Sequence, residues 1–423
     1  MNWCVQYFVD YNRYMSLFGV FVVFGLLYAL SLNRRAISWS LVLKAVGVHF
    51  FLTALMLLTS VGQSFVTALA TGVQALYKAS DAGISFLFGN LAQPAAGSWG
   101  FIFAIRVLPV MVFFGAFMAL LSYCGVIRVI VLLVRKVLQP VLRTDGAETS
   151  CAIANSFLGQ TEAPLLIRHY LAKLTQSELF VVMVSGMGTI SGAVLGVYGV
   201  MGVPLKHLLS ASIIAIPATI FCAKIVVPSE PKVCSEIEVD RGSMATSLFE
   251  AVSIGTSDGL MLALNVGAML IAFIALIGLF NGVLACGGVY INVLFTKLGL
   301  AWSLPTLSLE MIFGILGRPF GWLLGLTGFD AVRLGELLGL KVAVNEMVAY
   351  SAMVTGGLSE RATILATYVL CGFSNFSSIG IQVGGIGILA PEQRARIAQL
   401  GLRAVCVAAL ANLYSALIVN LFI

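Results

Sequence analysis

The sequence predicts an all-α polytopic membrane protein, and three observations lead to that fold class. Of the 423 residues, 60% are hydrophobic and only 10% are charged, whereas soluble domains carry roughly 25% charged residues. The mean hydropathy is +1.03, and the apolar runs are long enough to cross a bilayer as helices. These runs are too continuous for the short alternating strands of a transmembrane barrel. The formal net charge of +6 includes no basic run of five or more residues, so nucleic acid is not an expected partner.

Eight apolar stretches are predicted to span the membrane. They cover about residues 15–31, 37–59, 100–124, 175–200, 208–227, 260–295 and 359–388, and the C-terminal stretch after residue 403. Residues 62–98 and 126–142 mix apolar with polar or basic side chains, which is typical of helices that lie in the membrane interface. Residues 228–246 are predicted to be the most soluble loop, and residues 391–403 a basic loop.

Lysine and arginine residues collect on one side of this arrangement, which predicts that this side is cytoplasmic. They are Arg34, Arg35, Arg128, Arg135, Lys136, Lys232, Arg241, Arg394, Arg396 and Arg403. Both termini are then expected outside.

Two further stretches are too polar or too interrupted for plain spans. Residues 147–174 contain Gly159 and Pro164 in the middle of the stretch, which predicts a re-entrant helical hairpin with an irregular tip at residues 158–164. Irregular backbone at membrane depth is tolerated where it lines a cavity or is buried in protein. Residues 304–350, broken by several glycines and Pro319, are predicted to form a second hairpin.

The two hairpins are related by an internal repeat. Glu346 follows Glu162 by 184 positions, and both are carboxylates at a predicted hairpin. The same offset relates the pairs Thr161 and Asn345, Thr175 and Ser359, Gly188 and Gly372, Ser191 and Asn375, and Gly196 and Gly380. Three spans lie between the hairpins, so they enter from opposite sides and form an inverted repeat. Inverted repeats with broken segments near the midplane are typical of secondary transporters.

The candidate site is the set of polar side chains at the hairpin tips and in the spans that follow them. These are Gln160, Thr161, Glu162, Thr189, Ser191, Asn345, Glu346, Asn375, Ser377 and Ser378, with Val194 and Phe373 adding apolar surface. Carboxylates and amides suit a neutral ligand with many hydrogen-bond donors. A nucleoside or a sugar fits this inventory, whereas a nucleotide does not, because no lysine or arginine lies at the tips.

A coupling cation needs hard oxygen ligands. The Asn155 side chain, the Leu158 carbonyl, the Thr189 hydroxyl and the Ile190 carbonyl could supply them if the first tip and the following span unwind towards each other. A proton carried by Glu162 or by Glu346 is the alternative. Both carboxylates could instead be paired structurally, although ionisable residues inside a membrane are functional by default.

Several other polar or small residues have simpler structural interpretations. Thr175 and Ser359 are expected to be helix caps. Gly188, Gly192 and Gly196 are expected to allow close helix packing.

Four motifs resemble the concentrative nucleoside transporter family. They are Gly-Gln-Thr-Glu-Ala-Pro at 159–164, Ser-Gly-Met-Gly-Thr-Ile-Ser-Gly at 185–192, Asn-Glu-Met-Val-Ala-Tyr at 345–350 and Cys-Gly-Phe-Ser-Asn-Phe-Ser-Ser-Ile-Gly at 371–380. The resemblance covers residues 101–423, and the two leading spans suit the bacterial form with eight spans. It implies a homotrimer in a bacterial inner membrane, with a scaffold domain and a transport domain that moves as an elevator. Both termini would then be periplasmic, and lipid and a nucleoside such as uridine would be the partners.

The resemblance also implies roles for individual residues. Gln160, Thr161 and Glu162 would bind the nucleobase, with Val194 packing against it. The ribose would contact Glu346, Phe373, Asn375 and Ser378. A sodium ion, the coupling ion, would be held by Asn155, Leu158, Thr189 and Ile190. Family members usually have serine where Thr189 stands, and threonine keeps the hydroxyl.

The implied domain division and the competing functions complete the expectations. Residues 1–145 and 229–303 would belong mainly to the scaffold, and residues 146–228 and 304–423 to the transport domain. The alternatives are a proton-coupled nucleoside symporter and a non-transporting, gate-like membrane protein of the same fold. An enzyme is not expected, since His49, His169 and His207 lie on separate segments without metal-ligand spacing.

Overall fold

The computed structural model of the chain describes residues 3–93, 100, 102–229, 245–298 and 305–423, and these are helical or irregular, with no β-strand in those ranges. Seven helical segments of this part are long and apolar enough to span a membrane. The predicted all-α polytopic class is therefore confirmed. Most of the predicted soluble loop, residues 230–244 with Lys232 and Arg241, lies outside the described residues.

The N-terminal part contains seven helices. They are α1 (Trp3–Val9), α2 (Arg13–Leu30), α3 (Trp39–Leu58), α4 (Ser60–Phe88), α5 (Phe103–Arg106), α6 (Leu108–Tyr123) and α7 (Val126–Leu142). Helix α4 begins after Thr59, whose hydroxyl accepts a hydrogen bond from the Gly62 N–H at 3.0 Å and so satisfies a free donor of the first turn. Helices α2 and α3 pack on the central helices described below, whereas α6 packs against α13.

The first repeat follows. Its helices are α8 (Gly146–Ala154), α9 (Arg168–Leu171), α10 (Gln176–Gly188), α11 (Gly192–Val200) and α12 (Leu205–Val226), with a 3-10 helix at Ala163–Ile167. Helix α10 begins with a capping box, because the Thr175 hydroxyl accepts the Glu178 N–H and the Glu178 carboxylate accepts the Thr175 N–H. The predicted helix cap at Thr175 is confirmed.

Helix α13 (Leu248–Lys297) has 50 residues and begins 12 residues earlier than the predicted span. Only 6% of its most apolar window is buried inside the chain. Its contact with α6 is close because glycines face each other: a Cβ on Gly255 would lie 2.6 Å from the Gly115 carbonyl, and one on Gly259 2.5 Å from the Met111 carbonyl. Small residues of this kind let two membrane helices approach.

The second repeat contains six helices. They are α14 (Leu309–Leu323), α15 (Gly328–Ala343), α16 (Glu346–Thr355), α17 (Glu360–Leu370), α18 (Phe376–Leu389) and α19 (Arg394–Asn420). Two predicted boundaries were wrong. The second hairpin consists of α15 and α16, and α14 is a separate arm bent by 116° from α15. The predicted basic loop at 391–403 is mostly the first turns of α19, because its arginines occur within a helix-forming sequence.

The repeat is visible in the registers of the helices. Helices α10 and α17 begin 184 residues apart, at Gln176 and Glu360, and α11 and α18 do so at Gly192 and Phe376. The span predicted at 359–388 is therefore broken into α17 and α18, as the span at 175–200 is broken into α10 and α11. The two breaks touch: a Cβ on Gly372 would lie 2.7 Å from the Gly188 carbonyl carbon. The inverted repeat predicted from the sequence is confirmed.

Helices α10, α12 and α19 pack against one another at the centre of the fold. The apolar windows of the segments 176–201, 205–226 and 391–420 are 94%, 89% and 72% buried, respectively. The breaks of both repeats are therefore enclosed by protein on most sides, which is the condition for irregular backbone at membrane depth.

Candidate functional site

The first hairpin unwinds at its tip. Helix α8 ends at Ala154, residues 155–162 form turns, and Pro164 lies in the first turn of the 3-10 helix that follows. The irregular segment thus begins three residues earlier than predicted, and its returning arm is a 3-10 helix with one α-helical turn. The tip is attached to α11, because the Gly192 N–H donates to the Phe157 carbonyl at 2.8 Å. This hydrogen bond joins the tip of the first hairpin to the break between α10 and α11.

Glu346 is the first residue of α16, and its carboxylate is buried. One oxygen accepts a hydrogen bond from the Tyr198 hydroxyl at 3.0 Å, and the other accepts one from Asn375 Nδ2 at 3.1 Å. Tyr198 belongs to the first repeat and Glu346 to the second, so this carboxylate joins the two halves of the fold.

Asn375 caps α18 and continues the connection. Its Oδ1 accepts hydrogen bonds from the Ser378 N–H at 2.9 Å, from the Ser378 hydroxyl at 3.1 Å and from the Ser377 hydroxyl at 2.7 Å. The Ser378 oxygen accepts one from Gln160 Nε2 at 3.3 Å, and Gln160 Oε1 accepts one from Gln382 Nε2 at 3.1 Å.

These side chains form a continuous row across the repeats, which we call the cross-repeat network: Gln160, Tyr198, Glu346, Asn375, Ser378 and Gln382. All six are buried. The structure therefore brings together Gln160, Glu346, Asn375 and Ser378 of the predicted site, from both hairpin tips and one broken helix. Buried polar groups of this kind rigidify a site when each has a partner.

Thr161 and Glu162 face a different space. Both line a cavity of about 570 Å³ that also contacts Asp258 and Asn265 of α13. The Glu162 side chain is exposed and accepts a hydrogen bond from the Gly159 N–H at 3.3 Å. Asp258 is therefore a second carboxylate on the same cavity as Glu162. The two carboxylates that the repeat equates have different surroundings.

Val194 and Phe373, the two apolar residues of the predicted site, lie next to the breaks. Val194 is buried on α11, and Phe373 is half-buried between α17 and α18. Both pack into the apolar core. The structure does not bring either side chain into the cross-repeat network.

The four predicted sodium ligands are all buried. Asn155 Nδ2 donates to the Ser185 hydroxyl at 2.9 Å, while Asn155 Oδ1 is buried with no partner in the described part of the chain. The Thr189 hydroxyl donates to the carbonyls of Asn155 and Ser185, each at 2.8 Å. No backbone hydrogen bond from a described residue reaches the carbonyls of Leu158 and Ile190.

These oxygen atoms fit a hard monovalent cation. An amide oxygen, two carbonyl oxygens and a hydroxyl are the ligand types that such ions prefer. An unpartnered amide oxygen in the protein interior is otherwise costly. We call Asn155, Leu158, Thr189 and Ile190 the candidate cation site.

Sequence reasoning missed Tyr198 and Gln382. They are themselves 184 positions apart, and each reaches across to the hairpin of the other repeat: Tyr198 to Glu346 and Gln382 to Gln160. Either could have been found by extending the repeat, because each is a polar residue in an otherwise apolar helix.

Three family models match the chain. The model for the N-terminus of the Na+ dependent nucleoside transporters matches residues 18–91, and the model for their C-terminus matches residues 207–420. A model described as nucleoside recognition matches residues 104–205, which include the first tip and the first break.

Relatives match over nearly the whole chain. An uncharacterized transporter of Haemophilus influenzae is 41% identical over 96% of this chain and 97% of its own length. The nucleoside permease NupC of Helicobacter pylori is 37% identical over 98% of both chains. A solved structure of CNTnw in an inward-facing substrate-bound state is 37% identical and covers 96% of this chain and 98% of its own, with a TM-score of 0.88.

Proposed function

The chain belongs to the concentrative nucleoside transporter family, and we propose that it is a sodium-coupled importer of nucleosides that works by alternating access. The cross-repeat network carries this proposal. Its amide, hydroxyl and carboxylate groups can bind the hydroxyl groups of a ribose and the polar edge of a nucleobase. The buried side chains of Gln160, Glu346, Asn375 and Ser378 carry no positive charge that could pair with a phosphate.

The residue roles follow from this arrangement. Glu346, Asn375 and Ser378 would bind the ribose, with Phe373 beneath it. Gln160, Thr161 and Glu162 would bind the nucleobase, with Val194 packing nearby. Binding of either end replaces a hydrogen bond within the cross-repeat network, so substrate recognition and closure of the two tips are linked.

Sodium is favoured over a proton as the coupling ion by one observation, the unpartnered Asn155 Oδ1. A protonated carboxyl at Glu346 is the competing possibility, and the name of the C-terminal family model supports sodium. The candidate cation site lies in the same tip as Gln160, so an ion bound there would order the nucleobase wall before substrate arrives.

An elevator-type movement is our proposal for the conformational cycle. Helices α6 and α13 would form the scaffold, and the hairpins, the broken helices, α12 and α19 would move together. Helices α2 and α3 pack on α19 and α12, and we place them in the moving part, although the sequence predicts a scaffold role for most of residues 1–145. The exposed apolar surface of α13 would be covered by lipid and by two further copies in a homotrimer. Both termini would be periplasmic in a bacterial inner membrane.

Uptake of labelled uridine into proteoliposomes tests the proposal. A sodium gradient imposed without a proton gradient should drive accumulation, and a sodium ionophore should abolish it. Accumulation driven by a proton gradient alone would replace sodium by a proton as the coupling ion.

Binding and uptake measured together distinguish a transporter from a gate-like protein of the same fold. The purified protein should bind uridine more tightly in sodium than in choline, and it should not bind uridine 5′-monophosphate comparably. Sodium-dependent binding without any uptake under either gradient would favour the non-transporting alternative.

A further inference from the structure

Lys341 is a buried ammonium that the proposed transport cycle does not yet use. It lies on α15 with no exposed surface, and its Nζ donates a hydrogen bond to the Val369 carbonyl of α17 at 2.9 Å. Removing an ammonium from water is expensive unless other groups compensate. The other lysine that is buried in the described ranges, Lys224, has a carboxylate partner, Glu148, at 2.6 Å. The ion pairs found in the described ranges include none with Lys341.

The internal repeat identifies the place that Lys341 occupies. Val369, its hydrogen-bond acceptor, follows Ser185 by the repeat offset of 184 positions. Ser185 is the residue of α10 that contacts the candidate cation site: its hydroxyl accepts from Asn155 and its carbonyl accepts from Thr189. Lys341, on α15, therefore brings a positive charge to the point of α17 that corresponds to Ser185 of α10, the residue that contacts Asn155 and Thr189 of the candidate cation site.

The second repeat lacks the ligands themselves. At the positions that correspond to Asn155 and Thr189, it has Gly339 and Phe373, which carry no side-chain oxygen. Its hairpin helix also does not unwind at the equivalent point. Helix α8 ends at Ala154, whereas α15 continues to Ala343, five residues past the equivalent position. The two side-chain oxygen ligands of the first repeat, on Asn155 and Thr189, therefore have no equivalent in the second.

A positive charge in the second repeat would act on a buried carboxyl group. Glu346 is buried, and its two hydrogen-bond donors, Tyr198 and Asn375, are neutral. Lys341 is among the charged groups that interact electrostatically with Glu346. An opposite charge nearby favours the ionised form of a buried carboxyl group.

We propose that the Lys341 ammonium is a built-in cation that takes, in the second repeat, the place that the exchangeable cation takes in the first. It is a positioning residue: it compensates the charge of Glu346 and joins the second hairpin to α17, without contacting the substrate. The inference rests on the proposed function, and it predicts one exchangeable sodium ion per chain.

The sodium dependence of substrate binding tests the count of ions. Uridine binding to the purified full-length protein would be measured against sodium concentration, with choline keeping the ionic strength constant. We expect a Hill coefficient of about 1, because only one repeat has an oxygen site. A coefficient clearly above this value would overturn the proposal, since the second repeat would then bind sodium despite its lysine.

Two substitutions test the lysine directly. Lys341→Met keeps the length of the side chain and removes its charge, and it should weaken uridine binding at saturating sodium by about tenfold or more, because an uncompensated buried charge remains at Glu346. The sodium concentration for half-saturation should change little. Lys341→Arg should retain most of the affinity. Lys206→Met, at an exposed lysine, is the matched control and should behave like the unmodified protein.

A purely structural lysine would give a different pattern. Both variants would then lower the melting temperature and weaken sodium and uridine binding together, which would overturn the proposal. If Lys341→Met does not fold, the double variant Lys341→Met with Glu346→Gln removes both charges and should regain a melting temperature close to that of Glu346→Gln alone. A double variant as unstable as Lys341→Met would contradict the charge compensation.

The two levels of the argument fail separately. Absence of any sodium dependence in the unmodified protein would contradict the proposed function. Sodium-dependent binding in the unmodified protein, together with full uridine affinity in Lys341→Met, would contradict only the role of Lys341.

Discussion

The two hairpins of this protein share one backbone plan and differ in chemistry at their tips. The first unwinds after Ala154 and leaves Asn155 Oδ1 without a hydrogen-bond partner among the described residues, whereas the second stays helical to Ala343 and buries the Lys341 ammonium. Helix starts remain 184 residues apart in the broken segments. Backbone registers of a duplicated fold are thus preserved while the polar groups at equivalent positions diverge.

The same difference appears in the two carboxylates. Glu346 is buried and bonded to both repeats, whereas Glu162 is exposed to the cavity that it shares with Asp258. The repeats nevertheless remain reciprocal in one respect, because Tyr198 and Gln382 each reach the opposite hairpin. Three comparisons between the repeats and one within the first tip can be tested by substitution.

The largest effect is expected where the two breaks touch. Gly372 has a φ of 115°, and an added Cβ would meet the Gly188 backbone, so Gly372→Ala combines backbone strain with a contact that cannot relax, roughly 2–6 kcal/mol in total. Gly188→Ala would meet Thr219 Cγ2 at 2.4 Å, but Gly188 does not have a positive φ, so this variant has the overpacking cost alone, about 1–3 kcal/mol. Melting temperatures and the yield of monodisperse protein measure both. A larger loss for Gly188→Ala would contradict this account of the contact.

The second largest effect is expected from substitution of the two carboxylates, Glu346 and Glu162. Glu346→Gln should weaken uridine binding about 10- to 100-fold, because hydrogen bonds to a charged group contribute about 1.5–3 kcal/mol. Glu162→Gln should have a smaller effect, since its carboxylate is exposed and accepts a backbone hydrogen bond. Calorimetric titration at saturating sodium compares the two. Unchanged affinity in Glu346→Gln would remove Glu346 from the site.

Asn155→Ala should act on the ion and leave the substrate contacts intact. We expect the sodium concentration for half-maximal uridine binding to rise about tenfold, with little change in uridine affinity once sodium is saturating. Ser156→Ala is the control from the same tip, because the Ser156 hydroxyl donates to the Ser212 carbonyl and not to the candidate cation site. An unaltered sodium dependence in Asn155→Ala would count against that site.

The smallest effects are expected from the reciprocal pair. Tyr198→Phe removes one hydrogen bond from Glu346 and should weaken uridine binding about 2- to 10-fold. Gln382→Leu removes the hydrogen bond to Gln160 Oε1 and should weaken uridine binding by a similar factor. Affinities for a series of nucleosides distinguish the two variants. Changes in the ribose should alter the affinity of Tyr198→Phe more, and changes in the base should alter the affinity of Gln382→Leu more. Identical profiles would argue against distinct ribose and base walls.

Much of the fold could be predicted because hydropathy and helix caps are local properties. The long apolar runs identified the spans, and Thr175 and Ser359 marked the starts of two helices. Boundaries were lost where local signals conflict. The arginines near residue 394 suggested a loop but occupy a helix. The glycines and Pro319 suggested that all of residues 304–350 form one hairpin, whereas α14 is a separate arm that packs closely on α15.

The candidate site could be predicted in part. Gln160, Glu346, Asn375 and Ser378 were found as polar residues in broken apolar segments and are brought together by the fold. Thr161 and Glu162 line another cavity, which they share with Asp258 of α13. Burial and partners depend on residues that are distant in the chain, and a polarity pattern does not contain them.

The sequence by itself determined the membrane class, the inverted repeat and the family, because composition, the 184-residue offset and four polar motifs are written along the chain. Only the tertiary structure decided that Tyr198 and Gln382 cross between the repeats, that Glu162 and Glu346 differ in exposure, and that Lys341 contacts α17 at the position that corresponds to Ser185 of α10. These are relations between segments more than a hundred residues apart or across the repeat axis. They are set by helix packing and by where each helix unwinds, and both are properties of the whole fold.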